Sequence, residues 1–287
     1  MLGKLIKHEW KSVYKIGCVM LIAVLSVTLM GCLYFSTPMW RELFIGTSEV
    51  DDFAAAIAGL IGMGSLLVSV VMVTGAMYGM MIYLGVRFFR SMYTDEGYLA
   101  HTLPVTPHQL LGSKLIVGGI WVLIVNVASI LSILVMIFSM IASIMEGAMP
   151  EMNVWNAMQK LLNEFVVMYE TELGMDMVHY AVTMILTVII GAFSGIMTIY
   201  GALTIGQLSR KHKAMMGILT FFGFGLVYMI IGMVVSMVSM ASAITQGVNG
   251  EVSMNAPYDG SLIISIIAGV ALYFLSCFII KKKLNLD

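Results

Sequence analysis

Few side chains in this sequence could do chemistry, and their spacing narrows what that chemistry is. Cys18, Cys32 and Cys277 are three scattered thiols without metal-ligand spacing, and they read as small apolar residues. His101 and His108 flank two prolines but lack a third ligand. Met229, Met233, Met237 and Met240 recur at helical spacing in a chain with 28 methionines. Thioethers favour Cu(I), but methionine is also an adaptable apolar filler that suits surfaces accepting varied ligands, and that reading is the stronger. The sequence has no G-x-x-x-x-G-K-[ST], so nothing in it holds ATP through a P-loop. H-E-x-x-H, C-x-x-C and G-x-S-x-G are absent too. The chain is therefore expected to be non-catalytic, with no metal and no cofactor of its own.

The elements that position these residues are set by composition. Hydrophobic residues make up 60% of the 287 and charged residues 11%, with a mean hydropathy of +0.97. Soluble domains carry roughly 25% charged residues. The apolar residues gather in uncharged runs longer than the roughly 20 that a bilayer span needs, and backbone groups in lipid must be satisfied within helices. Six spans are expected, near 16–35, 61–84, 116–138, 182–204, 216–238 and 261–280. The fold class is an all-α polytopic membrane protein. The basic prefix and "LMGC" at 29–32 resemble a lipoprotein signal, but methionine fits its box poorly, so the first span is kept as an anchor.

Charge placement orients the spans. With a cytoplasmic N-terminus, the inner segments are 1–15, 87–114, 209–213 and 281–287. They hold thirteen of the fifteen basic residues; only Arg41 and Lys160 fall outside. The positive-inside rule then puts both termini in the cytoplasm. Segment 146–178 falls outside. Its Trp155, Met158, Leu162, Phe165, Val166, Tyr169 and Leu173 have the spacing of an amphipathic helix, or two, seated on the outer membrane face or closing over a lateral cavity.

Residues 1–15 form a second amphipathic segment. Lys4, Lys7, Lys11 and Lys15 share one face, and Leu2, Leu5, Ile6 and Val13 the other. Such a helix is expected to lie in the inner interface. Glu9 stands in the middle of the apolar face, where a carboxylate should meet a basic group, such as Arg87 or Arg90, rather than lipid. Within the spans ionisable residues are almost absent, which leaves no proton relay. Asn126 is the main polar exception and could bond across helices or touch a ligand. Gly75 with Gly79, and Gly191 with Gly195, are G-x-x-x-G pairs suited to helix packing, within the subunit or between two subunits.

Between spans two and three lies "YTDEGYLAHTLPVTPHQLLGSKL", residues 93–115. Thr94, Asp95 and Glu96 offer a helix start, and Pro104 ends that helix near Thr102. A second start follows, with Thr106 as N-cap, Pro107 at N1 and Gln109 at N3 in a capping box. Val105 and Leu110 occupy the staple positions. The segment is thus expected to be a rigid protrusion, and Tyr98, Leu99 and Leu103 would suit a partner's groove.

Six spans, a basic amphipathic N-terminal helix and "DEGYLAHTLPVTPHQLLGSKL" together resemble the membrane subunits of ABC-2-type transporters of Gram-positive bacteria. The resemblance covers the whole chain in architecture and is sharpest over 95–115. It implies a cytoplasmic coupling helix in region 91–114 that docks on a separate ATPase subunit, with 1–15 adding to the docking surface. Asp95, Glu96, Tyr98, Leu99, Leu103 and Glu9 would then be the coupling residues. Two ATPase subunits, binding ATP and Mg, a second permease copy or paralogue, and lipids would be the partners, and no nucleic acid is expected. The implied function is export or removal of an amphipathic substrate, a peptide antibiotic or lipid-like compound, across a bacterial plasma membrane. Asn126, Met229, Met233 and Met237 are candidate substrate contacts. The alternative is a sensing or immunity complex that binds peptides or cell-wall precursors without moving them.

Overall fold

A computed structural model describes residues 2–37, 40, 52–94, 97, 105–148, 154–171, 177–209, 211–247 and 256–282. Its helices are α1 (Leu2–Phe35), α2 (Asp52–Tyr93), α3 (Pro107–Ala148), α4 (Val154–Thr171), α5 (Met177–Gly206), α6 (Lys213–Gly247) and α7 (Ala256–Lys282). All but α4 are long and apolar enough to cross a membrane. The chain is a multi-pass membrane protein with the six expected spans.

The helices outrun those spans. Helices α2 and α3 have 42 residues each, or about 63 Å at 1.5 Å per residue, about twice the hydrocarbon thickness. Their sequences contain no proline past the first residue, so nothing ends them at the lipid boundary. Hydroxyls inside them bond back to their own helix: Ser69 Oγ donates to Ser65 O at 2.7 Å, and Ser65 Oγ to Gly62 O at 2.8 Å. Such bonds satisfy polar groups that lipid cannot.

Helix α1 corrects one expectation. Residues 2–15 do not form a separate interfacial helix; they are the first turns of a single 34-residue helix. No proline or capping residue interrupts it at 15–16. Its lysine face is exposed, but Val13 is buried and Leu5, Ile6, Glu9 and Trp10 are half-buried. The apolar stripe therefore packs largely on protein.

The chain divides into two compact units. The first comprises Met1–Lys15, Met80–Leu123 and Val167–Asp287. In it α5 packs on both α6 and α7. Gly118 of α3 permits a close approach to α5: a Cβ there would lie 3.0 Å from both Ile196 Cδ1 and Tyr200 Oη. The turn from α5 to α6 is equally tight. A Cβ on Gly206 would lie 2.6 Å from Gly217 Cα, and His212 takes a left-handed conformation at φ 57° to re-enter α6.

The second unit comprises Ile16–Gly79 and Ile124–Val166. Its core joins Phe35, Trp40 and Met136, with Cys32, Leu66 and Met140 against them. The rings of Phe35 and Trp40 meet edge to face at 5.2 Å between centroids. Thr28 and Ser132 hydroxyls bond across helices at 2.5 Å, an interaction worth about 1 kcal/mol in a membrane.

Candidate functional site: a buried ion cluster joining three helices

Helical spacing brings one acid and two bases together in the first unit. Glu9 lies one turn before the buried Val13 on the packed stripe of α1. Arg87 and Ser91 are one turn apart on α2, and Lys114 lies two turns into α3. Glu9 Oε2 accepts from Arg87 Nη2 at 3.1 Å, and Glu9 Oε1 accepts a very short bond from Lys114 Nζ. Lys114 Nζ also donates to Ser91 Oγ at 2.8 Å. The side chains are 13% exposed for Glu9, 5% for Lys114 and 23% for Arg87, so this is a largely desolvated cluster of one anion and two cations. Arg87 Nε is buried without a hydrogen-bond partner among the described residues. The cluster borders a cavity about the size of one water molecule.

Glu9 precedes the apolar stretch of α1. Burial pushes its carboxyl up, but Lys114 and Arg87 outweigh that and hold it below the ordinary 4.5. It is therefore the ionised member on which both cations depend.

Aromatic packing backs the cluster. Phe88 stacks on Tyr200 with centroids 4.0 Å apart, and Trp10 meets Trp121 at 5.2 Å. Thr204 Oγ1 donates to Tyr200 O at 2.7 Å, so the 2.8 Å contact between Tyr93 and Thr204 has Tyr93 as donor. These contacts fix the end of α2 against α5. Lys114 is a cation paired with Glu9 and donates to Ser91 Oγ. What the cluster can do is hold α1, α2 and α3 in register.

The start of α3 is capped as its sequence predicts. Gln109 N donates to Thr106 Oγ1, and Thr106 N donates to Gln109 Oε1, each at 3.3 Å. Leu110 is buried. Nearby, His108 is exposed, with Nδ1 3.3 Å from Cys277 Sγ and 3.4 Å from Tyr273 Oη, contacts that link α3 to α7.

The other expected residues fall elsewhere. Asp95, Glu96, Tyr98, Leu99 and Leu103 lie outside the described residues. Met229, Met233 and Met237 are exposed on α6 at 52%, 54% and 71% and form no site with the cluster. Asn126 is half-buried on α3 and belongs to the second unit. Among the described residues a Cβ on Gly75 or Gly191 would meet nothing within 4 Å, and one on Gly79 or Gly195 would meet only a methionine tip. Among the described residues none of the four glycines admits a neighbouring backbone.

Glu9 with Arg87 was legible as an acid on an apolar face needing a base. Lys114 and Ser91 were not singled out. The signal available for Lys114 was a lone cation just inside a long uncharged run. Comparison with protein-family models, with curated proteins and with solved structures found no match.

Proposed function

We propose that this chain is the non-catalytic permease subunit of an ABC-2-type exporter in a bacterial plasma membrane. Both termini are cytoplasmic in this reading, and region 91–114 carries the coupling helix. Two separate ATPase subunits bind ATP and Mg and dock there, and a second permease copy or paralogue completes the pathway. The cargo is amphipathic, a peptide antibiotic or lipid-like compound.

The observation that carries the reading is the ion cluster. Arg87 and Ser91 lie in the last turns of α2, and Lys114 lies near the start of α3, so they bracket the segment between these helices. Glu9 ties both to the first turns of α1. A push on the intervening segment would reach three helices through one buried carboxylate, which is what a coupling device requires. The thirteen-to-two distribution of basic residues and the missing P-loop agree with a membrane subunit driven from the cytoplasm.

Purification of the tagged chain from its own host in mild detergent tests this. A P-loop ATPase should co-purify in equal amount, with hydrolysis stimulated by the cargo. Recovery of the chain alone, or with a receptor kinase and no ATPase, would favour the non-transporting complex.

A further inference from the structure

The first unit contains a cleft of about 290 Å³ among α2, α5, α6 and α7, close to the roughly 300 Å³ at which small-ligand pockets begin. Gly191 and Gly195 on α5 and Gly225 on α6 line it. A Cβ on Gly191 or Gly225 would meet open space, so these glycines form smooth wall instead of helix contact. No lining residue carries a charge.

The polar groups of the cleft are four hydroxyls, and three have committed their protons. Ser194 Oγ donates to Ser265 O, Thr198 Oγ1 to Ser194 O, and Ser265 Oγ to Ser261 O, each at 2.9 Å. Thr198 can then only accept from Tyr228, whose Oη lies 3.4 Å away, beyond the roughly 2.5–3.0 Å of a good O–H···O bond. The phenolic O–H of Tyr228 is the loosely held donor in an otherwise apolar site. In lipid, no water competes for it.

We propose that this cleft binds an uncharged acyl chain by its ester or amide carbonyl, with Tyr228 donating to the carbonyl and the glycine wall receiving the chain. A cation would find no carboxylate here, and an anion no base. The assignment stands on the cleft itself and does not depend on the exporter reading. The same chemistry could come from a free single-chain amphiphile or from a bilayer phospholipid.

Photolabelling of the full chain in nanodiscs tests it, using a monoacylglycerol with a diazirine in its acyl chain. Label should concentrate on the α5 and α6 peptides that line the cleft. Gly191→Leu and Gly225→Leu fill open space and should lower that labelling at least tenfold. Tyr228→Phe should lower it severalfold, yet leave labelling by a plain alkyl diazirine unchanged, a contrast that misfolding would not give. Preference for the monoacylglycerol over a diazirine phosphatidylglycerol assigns a free amphiphile, and equal labelling assigns bilayer lipid; both uphold the site. Label spread evenly over six spans, or unchanged in all three variants, would overturn it.

Discussion

Glu9 Oε2 and Arg87 Nη2 lie 3.1 Å apart across 78 residues of chain, and the same carboxylate holds Lys114. This arrangement is unequal. Removing the acid leaves two buried cations uncompensated, whereas removing one cation leaves the acid still paired. Stripping one partner from a buried pair costs about 3–5 kcal/mol. Glu9→Ala should therefore lower the thermal midpoint in detergent far more than Lys114→Met, and Lys7→Ala, on the exposed face, should leave it unchanged. Equal midpoints for the first two variants would remove the carboxylate from the centre of the cluster.

The same group sets an acid dependence. Its carboxyl is held below its ordinary 4.5, so the folded state binds its proton less readily than the unfolded state. The stabilisation is complete above the ordinary value and is lost as pH falls through the depressed one. Between pH 6 and 8 this group should contribute no slope. Below 4.5 the wild type should lose stability with acid more steeply than Glu9→Gln. Parallel acid profiles would show that Glu9 is not ionised in the fold.

The cap at the start of α3 makes a local prediction. Thr106→Ala removes one side of the reciprocal bonds with Gln109 and should cost about 1 kcal/mol. Hydrogen exchange should quicken at the first turn of α3 and not in its middle. Uniform exchange along α3 would mean that the cap does not hold this end.

Topology can be tested by labelling single cysteines in cells. Positions 160 and 255 should react from outside, and 96, 212 and 285 only after permeabilisation. The positive-inside rule, applied to the basic residues on segments 1–15, 87–114, 209–213 and 281–287, motivates this order. Reaction of 96 and 160 from one side would break the six-span order.

What the sequence made legible follows the range of each interaction. The spans and the Thr106 cap depend on neighbours a few residues apart, and both were readable. Amphipathicity gave the face of Glu9, but not whether the helix bends at 15–16. Residues 2–35 are one continuous helix, and no breaker stands at 15–16. Lys114 joins Glu9 through the register of α3 against α1, which no local pattern encodes. The glycine pairs show the same limit. G-x-x-x-G fixes a spacing on one helix, and only the placement of a second helix decides whether anything approaches. Beside Gly191 it leaves a cleft.

In the proposed exporter, the segment between α2 and α3 couples this chain to an ATPase. Truncating one well-buried interface anchor typically costs about 2 kcal/mol or more. Tyr98→Ala with Leu99→Ala should detach the ATPase, or uncouple its hydrolysis from cargo, while the permease still inserts in the membrane at wild-type level. The direct measurement is ATPase co-purification together with cargo-stimulated hydrolysis in the reconstituted complex. Loss of either, with insertion intact, is the predicted result. Wild-type values of both in the double variant would contradict it.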